Sequence, residues 1–545
     1  MVRSVATQDA GAGAALLDAL YASELRAPLE TARQVFVNRD LRLDTVKGVG
    51  FDMDYTLAIY KRVPMEELQY KLTIEKLINK RGYPAEIANI PYDPTFVIRG
   101  LVVDRLRGNI LKMDAHGHVG RVFHGRRKLP REERKEVYRT VSVRLSKNKH
   151  YASLDTLFSM PEACLYANLV DHFEARHAAG RGVEPLHPPP PVEGEAPNGP
   201  PPVMDYDKLF VDVRECIDEA HRDDSLKSII KRDLAQYILK DPELPLTLHK
   251  LRSSGKKLYL ITNSLWDYTS HVMSFLLEAG LHEYPSWRQF FDVVVVGSSK
   301  PRFFTEQNPF LEVDVVTGLP RPNHLPERFE RGHVYQGGNI HEFERRTGLR
   351  GDEILYVGDH IYGDIMRSKK DNLWRTALVV QELEEEIQTV ETHRARLWAL
   401  ADLDRKRYAL DDAVSQQKAL LARIEQDMAA GGSGLVQNAE PAAVEAATRQ
   451  LRRQLDDDKR ALKAVATQAQ EIEAEVANAI NPHWGMVFKE AHELSRFGEQ
   501  VEDYACIYTS RVSNLLYYSP MHYFRAPRIQ MHHEQVALSG ARKAP

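Results

Sequence analysis

Two aspartates with one residue between them, in Gly50-Phe51-Asp52-Met53-Asp54-Tyr55-Thr56-Leu57, carry the strongest chemical signal in the chain. They follow an apolar run, Val46–Phe51. Three more polar sets also follow apolar runs: Thr262-Asn263-Ser264, Gly297-Ser298-Ser299-Lys300, and Gly358-Asp359-His360 with Asp364 beyond it. Alone, Asp-x-Asp beside a turn is explained as well by capping. Together the sets hold a carboxylate able to attack phosphorus and a second carboxyl group able to protonate a leaving oxygen and then activate water. They also hold hydroxyl, amide and lysine groups that offset charge on phosphoryl oxygens, and further carboxylates as hard oxygen ligands for Mg²⁺. The combination reads as phosphoryl transfer through a metal.

The elements that must position these residues are short and buried. Lys257–Ile261, Phe291–Val296 and Ile354–Val357 are near-continuous apolar runs of strand length, as in a parallel sheet covered on both faces. Helical patterns between them give βαβ units. Ligands bind outside the carboxyl ends of such strands, so all four polar sets face one crevice. The expected fold class is α/β: a Rossmann-like parallel-sheet core with an inserted cap domain and a C-terminal helical hairpin.

Residues 1–60 are expected to form a helical lead-in and the first core strand, and 61–245 mainly the cap. About 200 residues separate Asp54 from Thr262, far more than a crossover needs. The Pro-rich stretch 185–202 is an exposed loop. Residues 246–380 complete the catalytic core. Over 381–480, apolar residues at spacings of three, four and seven (Leu410, Val414, Leu421, Ile424; Leu451, Leu455, Leu462, Val465) flank Gly431-Gly432-Ser433-Gly434, which predicts two packed antiparallel helices. Gln417 and Asp458 fall on the seam. Residues 481–530 read as an aromatic-rich helical region on the core or a subunit interface, and 531–545 as a loose tail.

Composition excludes several classes. With 73 basic and 77 acidic residues and a net charge of −4, the chain lacks the basic face of a nucleic-acid binder. Cys164, Cys216 and Cys506 are odd in number and far apart, which points away from disulfides and thiolate zinc and towards a reducing, cytoplasmic setting. No apolar run approaches the ~18 residues of a spanning helix. His116, His118 and His124 read as loop histidines, and Gly337-Gly338-Asn339 as a tight turn before a helix. Arg214, Asp218 and His221 share one helix face at i, i+4 and i+7. By itself that face reads as solvated.

DMDYTL, TNS, the Lys300 motif and GDHIYGDI resemble motifs I to IV of the haloacid dehalogenase superfamily. FVNRDLRLDTVKGVGFDMDYTLAIYK, LDTLFSMPEACLYANLVDHF, SSKPRFF, YQGGN and NLLYYSPMHYFRA are similar to its cytosolic purine 5′-nucleotidase branch, the IMP/GMP-specific type, over roughly residues 34–530. The resemblance implies Asp52 as nucleophile, Asp54 as general acid/base and Lys300 as the neutralising cation. It implies Thr262 and Asn263 on the phosphoryl group. Mg²⁺ would be held by Asp52, the Asp54 backbone carbonyl and Asp359, with Asp364 in support. Phe158 and His221 would flank the purine, Arg214 and Asp218 would bond its edge, and Lys227 would lie near the nucleotide. Arg222 departs from the aromatic residue of vertebrate members, and ALSGARKAP differs from their acidic tail, so tail-dependent regulation is not expected. The resemblance also implies a homo-oligomer (dimer or tetramer), purine-nucleotide effectors and phosphotransfer to a second nucleoside. Two rivals stay open: a phosphatase of this superfamily acting on another phosphomonoester, and a non-catalytic protein whose hairpin binds a partner.

Overall fold

The computed structural model describes residues 29–139, 143, 149–179, 203–278, 280–321, 327–370, 372–431, 434, 436–437, 439–529, 531 and 533–534. The lead-in before residue 29, the Pro-rich stretch 185–202 and the tail beyond 534 lie outside them. In chain order the elements used below are β1 (Phe36–Val37), β2 (Gly48–Phe51), α1 (Arg62–Arg81), β3 (Leu101–Asp104), β4 (Asn109–Met113), β5 (Val119–His124), β6 (Arg127–Lys128), β7 (Tyr151–Leu154), α2 (Met160–Ala178), α3 (Tyr206–Arg222), α4 (Ser225–Arg232), β8 (Lys257–Ile261), α5 (Trp266–Leu277), β9 (Val293–Val296), β10 (Phe310–Val313), β11 (Pro320–Arg321), β12 (Val334–Gly337), β13 (Ile354–Gly358), β14 (Arg375–Val379), α6 (Leu383–Thr392), α7 (Arg394–Ala429), α8 (Pro441–Ile480), α9 (Arg496–Tyr504) and β15 (Ile507–Thr509).

One ten-stranded sheet organises the chain, in the order β1-β15-β14-β13-β2-β8-β9-β12-β10-β11. Every pairing from β15 across to β12 is parallel. The antiparallel strands lie at the edges. All residues of β2, β9 and β13 are buried, as a sheet covered on both faces requires. The first core strand, β2, lies between β13 and β8. The chain therefore leaves it at a topological switch point, where an α/β sheet opens a crevice. Close packing sets one residue there: a Cβ on Gly50 would lie 2.8 Å from the Tyr356 ring.

The region between β2 and β8 contains α1, α2, α3 and α4 and a five-stranded antiparallel sheet ordered β6-β5-β4-β3-β7. That sheet is tied to the far end of the chain. Buried Lys112 of β4 donates to the carbonyls of Trp484, Met486 and Lys489 at 2.8, 2.5 and 2.6 Å. The rings of Phe123 and Trp484 lie 4.6 Å apart.

Several elements differ from expectation. Residues 29–45 contain a single 3₁₀ turn, Thr31–Arg33, and two-residue strands, not a helix. The aromatic-rich region 481–530 contributes β15 to the main sheet as well as α9. A three-residue strand is too short for alternation to reveal it. Gly337 ends β12, and Asn339 caps the helix Ile340–Thr347 by accepting the Glu342 N–H at 3.0 Å. The helices α7 and α8 have 36 and 40 residues, roughly 54 and 60 Å at 1.5 Å per residue. They run antiparallel, with Arg452–Glu425 at 2.9 Å and Gln417 donating to Asp458 at 2.6 Å. One polar bond thus crosses the seam, and Gln417 Oε1 is buried without a partner. Among the described residues, no helix is long and apolar enough to cross a membrane.

Candidate active site

Asp52 is the first residue past β2. Its backbone N–H donates to Val357 of β13 at 2.9 Å, which holds it beside the end of that strand. Asp359 and Asp364 follow β13, and oxygen atoms of Asp52, Asp359 and Asp364 all lie within 4.8 Å of one another. Lys300, in the loop after β9, places its Nζ 2.9 Å from Asp52 and 2.7 Å from Asp364, and donates to the Tyr356 hydroxyl at 2.9 Å. Lys300 thus pairs with two of the three carboxylates, and Asp359 has no ion-pair partner among the described residues.

The electrostatics follow from burial. Asp52 is pushed up to about 7 by burial, with Asp364 and Asp54 adding and Lys300 opposing. Asp359 is held well above the usual carboxylate range by burial and by Asp364 and Asp52. For Lys300 burial works against the charge, yet Asp364 and Asp52 hold it well above the usual lysine value. The surplus of buried acid is what a divalent cation with oxygen ligands would offset.

The Asp54 carboxylate is not in this cluster. It turns to the other side, accepting from the Tyr60 hydroxyl at 2.6 Å and from Ser264 Oγ at 2.8 Å. The two hydroxyls of Tyr60 and Tyr268 lie 2.9 Å apart. The residues following Asp54 and preceding Lys300, Tyr55 and Ser299, have φ of +55° and +59°, strain of about 1–3 kcal/mol each that tight packing around a site sustains.

Thr262 is fully buried, and its Oγ1 accepts from the Ser264 N–H at 3.1 Å. The Asn263 side chain is committed to the neighbouring loop: it accepts from Ser298 Oγ at 2.9 Å and from the Lys300 N–H at 2.6 Å, and donates to the Lys300 carbonyl at 3.1 Å. Its role visible here is to fix the Lys300 loop. What it can offer an anion is its backbone N–H.

A cavity of about 310 Å³ opens between the core and the inserted helices. Asp54, Asn263 and Ser264 line its core side; Phe158, Arg214, Asp218, His221 and Lys227 line the other. Every residue expected to read a base therefore meets in one place. The aromatic pair is arranged differently from an open sandwich. The rings of Phe158 and His221 stand 5.2 Å apart at 89°, and Phe158 also meets Tyr55 edge-on at 4.6 Å. A flat base between two rings needs roughly 7 Å, two stacking distances of about 3.5 Å each, so one ring must turn aside for it. His221 is pulled down to about 4 by burial and by Lys227, and is neutral at pH 7. Lys227 lies over the Tyr268 ring at 5.1 Å.

Sequence reasoning missed Glu162, Tyr60, Tyr268 and Arg99. Glu162, buried in α2, holds Arg214 Nε at 2.5 Å. Burial pushes its carboxyl up to about 7 against the pull of Arg214. Arg99 donates to the Asp359 carbonyl at 3.0 Å. No spacing rule relates these residues to the motifs they serve. The three histidines form no metal group among the described residues: His118 bonds Asp114 at 3.1 Å on the surface, and His124, which ends β5 and is not in a loop, bonds Asn109 and Glu174 at 2.8 Å each.

Gly358 is where the cluster is most tightly built. A Cβ there would lie 2.5 Å from Asp364 Cβ and 2.6 Å from its Oδ2. Gly358→Ala is expected to push Asp364 off Lys300 and cost about 1–3 kcal/mol by overpacking. Calorimetry should show it as a lower thermal midpoint with the circular dichroism spectrum retained.

A parallel sheet whose central strands end in carboxylates and a buried lysine, under a cavity walled by inserted helices, is the arrangement of an α/β enzyme. The chain belongs to the 5′ nucleotidase family, whose model matches residues 35–536. It is 32% identical over 383 residues to a 5′-nucleotidase domain-containing protein of Dictyostelium discoideum, across 69% of this chain and 60% of that protein's length. It is 28% identical over 514 residues to 5′-nucleotidase domain-containing protein 2 of Rattus norvegicus, covering 92% of this chain and 80% of the relative. To the Homo sapiens protein of that name it is 28% identical over 511 residues, covering 92% and 85%.

Proposed function

We propose that this protein hydrolyses the 5′-monophosphates of 6-oxopurine nucleosides, IMP and GMP, to nucleoside and phosphate through an aspartyl-phosphate. The observation that carries the reading is the single cavity joining Asp54 to Arg214 and Asp218, next to the Asp52–Lys300 cluster. One end suits a phosphoryl group and the other a purine edge.

In this reading a carboxylate oxygen of Asp52 attacks phosphorus, and the P–O5′ bond breaks as Asp54 gives its proton to the leaving oxygen. A water then attacks the aspartyl-phosphate, Asp54 takes its proton, and phosphate leaves with Asp52 restored. A second nucleoside hydroxyl in place of water gives phosphotransfer. Tyr60 and Ser264 hold the Asp54 carboxylate in the cavity wall while it exchanges the proton. Lys300 offsets charge on the phosphoryl oxygens. The donor set fits Mg²⁺: Asp52, Asp359 and the Asp54 backbone carbonyl would hold it, with Asp364 beside them. When bound, it would polarise the phosphoryl group and favour ionised Asp52.

At the far end, Glu162 occupies Arg214 Nε and leaves the terminal N–H groups for acceptors such as O6 and N7. Asp218 can accept from N1–H. A 6-amino purine reverses the pattern and sets Arg214 and Asp218 against groups of the wrong sense. Phosphate release from a panel of nucleoside monophosphates with Mg²⁺ tests this. IMP and GMP are expected to exceed AMP and the pyrimidine nucleotides in kcat/KM. Asp218→Asn is expected to lower the IMP value about 10-fold or more, the scale of one lost charged hydrogen bond, and to narrow the preference over AMP. Turnover of no nucleotide rejects the function. A preference for 6-amino bases rejects the assignment of Arg214 and Asp218.

A further inference from the structure

The peptide unit between Asp359 and His360 is held from both sides. Its carbonyl accepts from Arg99 Nη1 at 3.0 Å, and its N–H donates to Asp364 Oδ2 at 3.2 Å. One rigid plane thus couples an arginine outside the substrate cavity to two of the three clustered carboxylates. Rotation of that plane would re-aim Asp359 and release Asp364 together.

Arg99 is itself fully determined. Its side chain is 0% exposed. Nε and Nη2 form a two-pronged pair with Glu382 at 3.0 and 2.6 Å, and the guanidinium face lies 4.9 Å from the centre of the Phe497 ring. The fork uses one edge of the guanidinium and leaves Nη1 for the Asp359 carbonyl. Gly100 follows, with φ of +87°, and a Cβ there would lie 2.5 Å from Phe497 Cβ, so the backbone admits Arg99 to this position only with glycine after it. Glu382 immediately precedes α6. Arg99 and Glu382 line a second cavity, of about 320 Å³, which shares no lining residue with the substrate cavity.

We propose that Arg99 and Glu382 are a positioning pair that sets the affinity of the Asp52–Asp359–Asp364 cluster for its divalent cation, by fixing the Asp359–His360 peptide. The proposal rests on the metal-dependent reading above. Groups that orient metal ligands from behind typically govern affinity 10–100-fold. Losing Glu382 has a second consequence. The freed Arg99 charge is buried, with its Nη1 on the Asp359 carbonyl, where it competes with the cation.

The test measures Mn²⁺ binding, as a Mg²⁺ surrogate, by electron paramagnetic resonance of the free ion on the full-length wild type and on Asp359→Asn, Glu382→Gln and Arg99→Lys. Circular dichroism checks the fold of each. Wild type is expected to bind stoichiometrically and Asp359→Asn not to bind. Glu382→Gln, which is nearly isosteric and faces a cavity, is expected to fold and to bind about 10-fold more weakly or worse. At saturating metal its KM for IMP should stay within about twofold of wild type, because the nucleotide cavity is untouched. Arg99→Lys, which cannot reach both partners, should weaken binding similarly. If Arg99→Lys does not fold, Glu382→Gln decides. Wild-type affinity in folded Glu382→Gln makes the pair mere glue and overturns the inference, leaving the function standing. No binding by wild type overturns the metal reading and this inference with it.

Discussion

Asp52→Asn is expected to slow phosphate release from IMP roughly 10⁴–10⁶-fold, the scale on which removal of a covalent nucleophile acts. The amide keeps the shape and hydrogen bonds of the carboxylate but cannot form the aspartyl-phosphate. The protein should stay folded. Burial already pushes Asp52 up to about 7, so an uncharged side chain there removes a desolvation cost. Lys300 keeps Asp364 at 2.7 Å. A steady-state assay with and without a pulse of labelled substrate separates the possibilities. No labelled enzyme and no turnover is the expected pair of results. Turnover above about 1% of wild type would sink the covalent mechanism, whatever the substrate.

Lys300→Met is expected to damage both catalysis and stability. The lysine side chain is 2% exposed and serves Asp52 and Asp364 at once. Removing one partner of a buried ion pair costs about 3–5 kcal/mol, since the other charge is left uncompensated. The pH dependence has a definite sign in metal-free protein. Asp52 has a folded pKa of about 7, above the unfolded value of about 3.9. Its contribution to stability is therefore fully present at low pH and lost as pH rises through the folded value. In wild type that loss ends near pH 7. Without Lys300 the folded value rises further, so the loss continues upward. The difference in thermal midpoint between variant and wild type should widen from pH 7 to pH 9 and stay level between about pH 6 and about pH 5. A gap independent of pH would mean that Lys300 contributes packing alone. Activity should fall by about 10³-fold or more, since the cation facing the phosphoryl oxygens is gone.

Much of the chemistry was legible because it lies in short, contiguous motifs. Asp52, Lys300, Asp359 and Asp364 each follow a strand whose apolar run is visible, and strand ends in a parallel sheet converge by construction. The strands β12, β14 and β15 were not legible. They read Val-Tyr-Gln-Gly, Arg-Thr-Ala-Leu-Val and Ile-Tyr-Thr, whose polar residues break the apolar run that marks the other core strands. The base-reading face was half legible. The spacing of Arg214, Asp218 and His221 placed them on one side of α3, but nothing in that spacing distinguishes a cavity wall from a solvated surface. What distinguishes them is Glu162 of α2 at 2.5 Å from Arg214, a contact across 52 residues of chain.

By itself, then, the sequence determined the composition of the site and the class of fold: which acids, which lysine, and a parallel sheet to carry them. The tertiary structure alone decided how they are deployed. It turned Asp54 away from the three-carboxylate cluster and towards Tyr60 and Ser264. It spent the Asn263 side chain on the Lys300 loop. It set Phe158 edge-on to His221, and it put Arg99 behind Asp359. The reason is physical. Motif spacing fixes where the backbone delivers a residue, but the direction of a side chain and the pairing of a buried charge are settled by neighbours from 6 to 260 residues away. In a low-dielectric interior those neighbours decide which acid is ionised and which donor is free.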